Sequence, residues 1–311
     1  MRSISKLTDR QFKAVTGCSR EEFYKLLPTF IIVYDETIWE AYYENEEERK
    51  RKPGGGSLGK LRDYESRLYF VLYFFKTYPT YDVLGANFDM SGPKAWKNAK
   101  KLYPILEATL RKLGVCPARN FHDLEEFKDF INGEEDLFVD ATTRKHYRPR
   151  DNETQKEYYD GKKKAHTVKN TVISNASKFV LFLGLTVKGK EHDYSLLKKE
   201  FDPSKSWFEN VKVWIDLGYL GFEKDYDCEQ VNIPHKKPRK TKDNHNPELT
   251  AQQKAENKLI GKVRVVVENA IGGIKRFRIL VDTFRSKDDD LLDKSILIAA
   301  GLWNFKLKFF S

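Results

Sequence analysis

Between Asp9 and Gly114, apolar residues recur at the three- and four-residue intervals that give an α-helix one buried face. Phe12, Val15, Phe23, Leu26, Leu27 and Phe30 predict short helices, with Ser19 as an N-cap ahead of Glu21 and Glu22. Tyr64, Leu68, Val71, Leu72 and Phe75 form a second stripe, TYDVLGANF a short helix, and Trp96, Ala99, Tyr103, Leu106, Leu110 and Leu113 a third stripe. Ser91 caps that last helix, with Pro93 in its first turn where the missing N–H costs nothing, and Gly114 ends it. Pro104 is expected to kink or split it. After residue 120 the texture changes: LFVDAT, HTVKNTVIS, KFVLFLGLTV and VKVWIDLGY are rich in β-branched and aromatic residues and read as four strands. A helix, HDYSLLKKEF, separates the third strand from the fourth; a polar loop over 223–250 and a long helix over 251–278 follow. Such an order suits three antiparallel strands with the fourth added parallel to the first.

The run ENEEERKRKPGGGSLGK interrupts the helical part. Three consecutive glycines hold neither helix nor strand against their backbone entropy, so 52–59 reads as a basic linker. The expected organisation is a helical segment over 1–51, the linker, a helical domain over 60–118 and an α/β domain over 119–311, and 311 residues suffice for two cores.

Charge narrows the class of partner. Lysine and arginine outnumber acids by 56 to 46, a net +10, which favours a polyanion. Lys94, Lys97, Asn98, Lys100 and Lys101 lie opposite the third stripe. Two helices joined by FDMSG, the second one basic, make a helix-turn-helix pattern for the major groove; a trihelical packing unit with a solvated lysine face is the competing reading. Three scattered cysteines provide neither a disulfide framework nor a metal knuckle, the first residues lack the apolar centre of a signal peptide, and the apolar runs are too short for a bilayer. A cytoplasmic protein is expected.

The chemistry concentrates in acids. Asp140 ends the first strand and Asp216 the fourth, the two expected neighbours, while Glu268 lies on the long helix, expected to be mostly buried because VRVVVENAIGGIKRFRIL is so apolar. Three converging carboxylates repel one another unless cations neutralise them, and Mg²⁺ prefers such oxygen ligands. Two ions about 4 Å apart serve phosphodiester chemistry. Arg264 and Lys275 share a helical face with Glu268; an exposed i, i+4 ion pair is the alternative for Arg264. Lys162, Lys163, Lys164 and His166 could grip phosphate or form a solvated turn, and Lys236 and Lys237 belong to a proline-punctuated basic loop suited to a DNA backbone. His192 and Asp193 open the crossover helix, where an aspartate is read as an N-cap rather than a metal ligand.

These motifs resemble a known family along nearly the whole chain. FVDAT, GKKKAHTVKN, GKEHD, WIDLGYLGF, PHKKPRK, NKLIGKVRVVVENAIGGIKRFRIL and GLWNF, with TGCSREEFYKLLPTF, RKPGGGSLGKL and FFKTYPTYDVLGANFDMS, are similar to acidic-triad (DDE) transposases of bacterial insertion sequences, in the insertion-sequence-five group related to Harbinger-type transposases. The resemblance implies a ribonuclease H-like mixed sheet flanked by helices, preceded by an all-α helix-turn-helix domain. It implies Asp140, Asp216 and Glu268 as the catalytic triad holding two Mg²⁺, with Mn²⁺ able to substitute, and Arg264 and Lys275 as contacts near the scissile phosphate. Implied partners are double-stranded DNA, as terminal inverted repeats and target, and a second copy of the chain on that DNA, at the nucleoid. The sequence departs from the family at Gly261, where relatives often carry a tyrosine. Domestication to a DNA-binding protein without catalysis, and a hydrolytic nuclease without strand transfer, are the competing readings.

Overall fold

Local chemistry starts the chain. Thr8 and Ser19 each form a capping box, Thr8 with Gln11 and Ser19 with Glu22, opening helices α1 (Asp9–Thr16) and α2 (Arg20–Tyr43). Each such cap contributes about 1 kcal/mol. At 24 residues, α2 is far longer than the short helix expected. The computed structural model describes residues 4–44, 52–54, 59–240 and 245–310, so half of the expected linker at 52–59, residues 55–58, lies outside the described residues, as do residues 241–244 of the polar loop.

The chain divides into two units, Met1–Cys116 with Ile274–Ser311, and Pro117–Gly273. In the first unit, α3 (Tyr64–Thr77), α4 (Tyr81–Asn87) and α5 (Gly92–Lys112) follow the two helices above. Phe12, Phe23, Phe30, Leu68, Val71 and Leu106 are buried there, as the stripes predict. Ser91 occupies the cap of α5 without a side-chain cap bond, and Gly114 takes a left-handed φ of 63° beyond the helix end. Pro104 does not split α5, which runs unbroken from Gly92 to Lys112. Trp96 departs from the expected stripe and is 41% exposed, because the buried face runs through Ala95, Ala99, Leu102, Leu106 and Leu110, one residue and about 100° away.

The carboxy-terminal helix, Asp289–Phe310, joins this unit rather than the α/β unit in which the sequence reading placed it. Ile296 to Leu302 are buried throughout, so its sequence announces burial but not the partner. Specific bonds settle the partner: Asn304 Nδ2 donates to the Val115 carbonyl at 3.0 Å, and the Tyr103 hydroxyl donates to Asp290 at 2.9 Å. Upstream, Arg285 donates to the Tyr78 carbonyl at 2.7 Å.

The second unit is a mixed sheet with helices. After α6 (Leu124–Phe130) come β1 (Asp136–Lys145), α7 (Asn152–Tyr158), β2 (Tyr159–Asp160), β3 (Ala165–Ser174), β4 (Val180–Leu183), β5 (Val187–Lys188), α8 (Asp193–Glu200), β6 (Lys212–Trp214), α9 (Phe222–Asp225), β7 (Gln230–Asn232) and α10 (Ala251–Ile274). The path is β2-β3-β1-β6-β7, with β4 and β5 also on β3. As expected, β1, β3 and β4 are antiparallel and β6 runs parallel to β1. β7 arises inside the stretch read as a polar loop, parallel to β6, and the expected third strand is divided into β4 and β5. Leu137, Val139, Val213 and Ile215 pack with Leu197, Phe201, Phe208 and Phe222 into the core of this unit.

Candidate active site

Register brings Asp140 and Asp216 to one level. β1 and β6 pair as Asp136↔Lys212, Leu137↔Val213 and Phe138↔Trp214, and each aspartate lies two residues beyond that last pair. Side chains two residues apart on extended backbone share a face. Phe138 and Trp214 show which face, stacking at 6.0 Å, and Asp216 is still extended at φ −98°, ψ 178°. The Trp214 indole N–H donates to Asp136 at 2.7 Å and holds the register. β1 itself does not end at Asp140 but continues to Lys145 against β3, with Asp140 opposite Val172.

Each carboxylate is oriented by backbone. Asp140 Oδ1 accepts the Ala141 N–H at 2.7 Å, and Asp216 Oδ1 accepts the Gly218 N–H at 2.6 Å, opening the short helical turn Leu217–Tyr219. A larger residue at Gly218 would displace the carboxylate, since a Cβ there would lie 2.8 Å from Asp216 Oδ1 and 3.4 Å from Asp193 Oδ2. The WIDLGY motif is thus a strand end, a carboxylate and a residue small enough to let the turn close over it.

Electrostatics set Asp140 apart. Burial pushes the Asp140 carboxyl up to about 6, and the charges of Asp216 and Asp193 add to the rise, while the Ala141 N–H and Arg264 oppose it. Arg264 on α10 reaches Asp140 at 3.6 Å. Tyr219, wholly buried, has its hydroxyl raised well above the usual range, first by burial and then by Asp140, Asp193 and Asp216.

Glu268 stands apart. It is exposed on α10, and the expectation that this helix is mostly buried does not hold: Leu259 is 61% and Val265 43% exposed, while Val267, Ala270 and Ile274 alone form the buried stripe. Apolar composition here exceeds apolar contact, because spacing i, i+3, i+7 turns only one thin face inward. Among the described residues no group of three or more His, Cys, Asp or Glu side chains is close enough to hold a metal ion. What the sheet assembles is a carboxylate pair, and one or two carboxylates completed by substrate phosphate is the usual provision for Mg²⁺. Two adjacent acids, one with its ionised form disfavoured by burial, fit such a cation.

Around the pair lie several of the expected cationic residues. A cleft of about 490 Å³ beside Asp216 is lined by Lys162, His192, Tyr194, Leu217 and Lys236 among others. Lys164, at a φ of 51°, ends the turn between β2 and β3, and His166 pairs with Tyr159 across that hairpin. Lys236 and Lys237 are exposed, and their loop is tied to α10: the His235 N–H donates to Asn257 at 2.7 Å and Asn257 Nδ2 donates back at 3.0 Å. Lys275 follows the end of α10 in the other unit, where Lys94, Lys97 and Lys101 lie exposed on α5, Lys101 also reaching the Tyr34 hydroxyl at 3.1 Å.

The sequence reading passed over Lys169 and took Asp193 for a helix cap. Asp193 is not the N-cap of α8; His192 holds that position, and Asp193 Oδ1 instead meets Lys169 Nζ at 2.6 Å. Lys169, on β3, is buried. The signal was present: a lysine in the middle of the otherwise uncharged strand stretch HTVKNTVIS requires a buried partner.

The structure thus has a mixed sheet carrying paired aspartates on adjacent parallel strands. The family model described as DDE superfamily endonuclease matches residues 139–304, more than half of the chain, and the chain belongs to that superfamily. It is similar over 303 residues, at 27% identity, to a probable transposase for insertion sequence element IS702 from Microchaete diplosiphon, covering 97% of this chain and 96% of the relative. No solved structure matches it. No helix among the described residues is long and apolar enough to cross a membrane.

Proposed function

We propose that this protein is an insertion-sequence transposase that cuts DNA at the ends of its element and joins the freed 3′ ends to target DNA. The observation that carries the reading is the level pairing of Asp140 and Asp216 across β1 and β6 in a chain of the DDE endonuclease superfamily. Asp140, Asp216 and Glu268 are the catalytic acids on a ribonuclease H-like core. Arg264 already neutralises Asp140, and Glu268 lies one helical turn away, about 40° around the same axis. A slide of α10 by about 6 Å along its axis, with a turn of about 40°, as DNA binds would carry Glu268 to the pair and release Arg264 toward the scissile phosphate. Two Mg²⁺ ions held by these acids would supply activation of the attacking oxygen and neutralisation of the leaving one.

The chemistry balances without an external energy source. In the first step a water oxygen bonds to phosphorus and the 3′ oxygen leaves, as a 3′-hydroxyl with a 5′-phosphate opposite. In the second, that hydroxyl attacks a target phosphorus and displaces the target's own 3′ oxygen, so one phosphodiester replaces another. Lys162 and Lys236 line the cleft beside Asp216, Lys164, His166 and Lys237 would extend the cationic path for the DNA backbone, Lys275 follows α10, and the basic face of α5, with Lys94, Lys97 and Lys101, reads the terminal repeats as a helix-turn-helix. Two ends must be held together, which calls for a dimer on DNA. The test is incubation of the full chain with Mg²⁺ and the DNA flanking its own gene, with breaks mapped to the nucleotide. Cuts at the element boundaries that require Mg²⁺ are expected; breaks scattered without regard to the boundaries would leave only a nuclease.

A further inference from the structure

The cleft beside Asp216 has walls that phosphate binding alone does not explain. Leu217 and Leu220, which line it, are 40% and 43% exposed and follow directly on the aspartate. We propose that this cleft receives a single nucleobase turned out of the DNA stack next to the scissile phosphate, with the two leucines as its apolar wall and Lys162 and Lys236 on the flanking phosphates. The proposal rests on the reading of this site as one that cuts DNA.

Three observations meet there. First, the exposure of the leucines is built into the turn. Tyr219 and Phe222 are wholly buried and anchor it from below. The Gly218 N–H donates to Asp216 Oδ1 at 2.6 Å, the Tyr219 N–H donates to the Asp216 carbonyl at 3.1 Å, and Gly221 takes a φ of 103° that suits glycine. A turn pinned in this way keeps both leucines facing outward. Single exposed apolar side chains are ordinary, but two on one rigid turn beside a candidate catalytic acid form a surface for a ligand.

Second, the space suits one nucleotide. A hollow of about 490 Å³ lies against Leu217, Leu220 and Tyr194, and a second of about 440 Å³ is bordered by Leu220, Phe222 and Ile233, so Leu220 is a ridge between the two. The Tyr194 ring is a fixed wall: its hydroxyl donates to Asp225, and the Lys198 ammonium lies 4.5 Å from its centre. Within a duplex a base shows the grooves only its edge, and its faces reach such walls once it has left the stack. Leucines are among the apolar wedges that open base steps.

Third, polar groups surround the apolar wall as a nucleotide requires. Lys162, from the turn between β2 and β3, and Lys236, from the loop after β7, border the cleft from two separate elements, and neither ammonium is paired with an acid among the described residues. The side chains of His192 and Ser195 also line it and bond no other described residue, which leaves them for the edge of a base.

The test uses the full chain with element-end duplexes carrying 2-aminopurine, a base that brightens on leaving the stack, at each position around the cut in turn, with Ca²⁺ in place of Mg²⁺. One position next to the cut is expected to brighten on binding. A mismatch placed there removes the cost of unpairing and is expected to tighten binding by about tenfold. Leu217→Ala combined with Leu220→Ala is expected to abolish the brightening, erase the mismatch gain and weaken binding of matched ends by about tenfold. Lys236→Gln is expected to weaken matched and mismatched ends alike while brightening persists at saturating protein. No brightening at any position, or brightening unchanged in the leucine variant, overturns the proposal. Boundary cleavage by the parent without brightening sinks the base pocket alone, whereas a parent that neither binds nor cuts element ends removes the proposed function with it. If the leucine variant loses self-association in DNA-free sedimentation and keeps the brightening, the leucines serve a second copy and the pocket is refuted. Should that variant not fold, the parent decides, since equal affinity for matched and mismatched ends contradicts the proposal.

Discussion

The sheet and the long helix of the α/β unit supply their acids by different means. Asp140 and Asp216 are placed by backbone: parallel pairing sets their level, and the Ala141 and Gly218 N–H groups set their direction. Glu268 is placed by side chains alone, on a helix anchored by the stripe Val267, Ala270, Ile274 and by ties such as Arg264–Asp140 and Asn257–His235. A strand cannot slip by one residue without turning its whole core face outward, whereas a helix on a thin stripe shifts at little cost. On the function proposed above, the sheet would hold the half of the site that exists before DNA arrives, and the helix the half that substrate would complete.

The sharpest way to break this contrast is to remove one acid of each kind. Asp216→Asn is expected to lower Mg²⁺-dependent cleavage by more than ~100-fold, beyond what loss of an outer-shell partner usually costs, and to abolish Mn²⁺ binding in the absence of DNA. Glu268→Gln is expected to stop cleavage as well but to leave DNA-free Mn²⁺ affinity near parental. Equal loss of affinity in both would mean that the helix acid is already in place.

Acidity sharpens the same contrast. Because the Asp140 carboxyl is pushed up to about 6, a proton competes with the cation below that pH, and Mn²⁺ affinity in titrations is expected to fall by about tenfold per pH unit there. Stability without cation runs with a definite sign. An acid whose folded pKa lies above its unfolded value favours the fold while protonated, so this contribution is full below about 3.8 and is lost as pH rises to about 6. Glu200, raised by burial to about 7, acts in the same direction between 4.5 and that value. Asp140→Asn should remove the fall due to Asp140, so that relative to the parent the variant gains roughly 3 kcal/mol between low and neutral pH in urea denaturation; an unchanged pH profile would show that burial does not govern this group.

Smaller effects probe the cationic surroundings. Glutamine at Lys94, Lys97 and Lys101 should lower the slope of log affinity for terminal-repeat DNA against log salt by about one for each phosphate no longer neutralised, while cleavage of a pre-nicked substrate at saturating DNA stays near parental. Deleting residues 1–118 is a poorer probe, because it strips the buried carboxy-terminal helix of its partners and aggregation is the expected result. Asn257→Ala, which unties the basic loop from α10, should weaken DNA binding by about 1 kcal/mol, measured by fluorescence anisotropy.

Much of this was legible in residues. The helical stripes, the Ser19 cap, the four main strands and the parallel pairing of the first with the fourth follow from periodicity and strand order, and they suffice to bring Asp140 beside Asp216. What the residues did not disclose depends on partners distant in sequence. The carboxy-terminal helix is apolar enough to be buried anywhere, and only Asn304 and Tyr103 assign it to the helical unit. The three-residue β7 lies in a stretch too polar to read as a strand, and pairing with β6 alone makes it one. Asp193 looked like a cap because an aspartate at a helix start usually is one, and its true partner, Lys169, lies 24 positions earlier on β3.

Anomalous diffraction from crystals of the full chain grown with Mn²⁺ tests the central claim most directly. The account predicts manganese peaks within coordination distance of both Asp140 and Asp216. Peaks confined to other acids, or an Asp140–Asp216 pair bare of metal at saturating Mn²⁺, would contradict it.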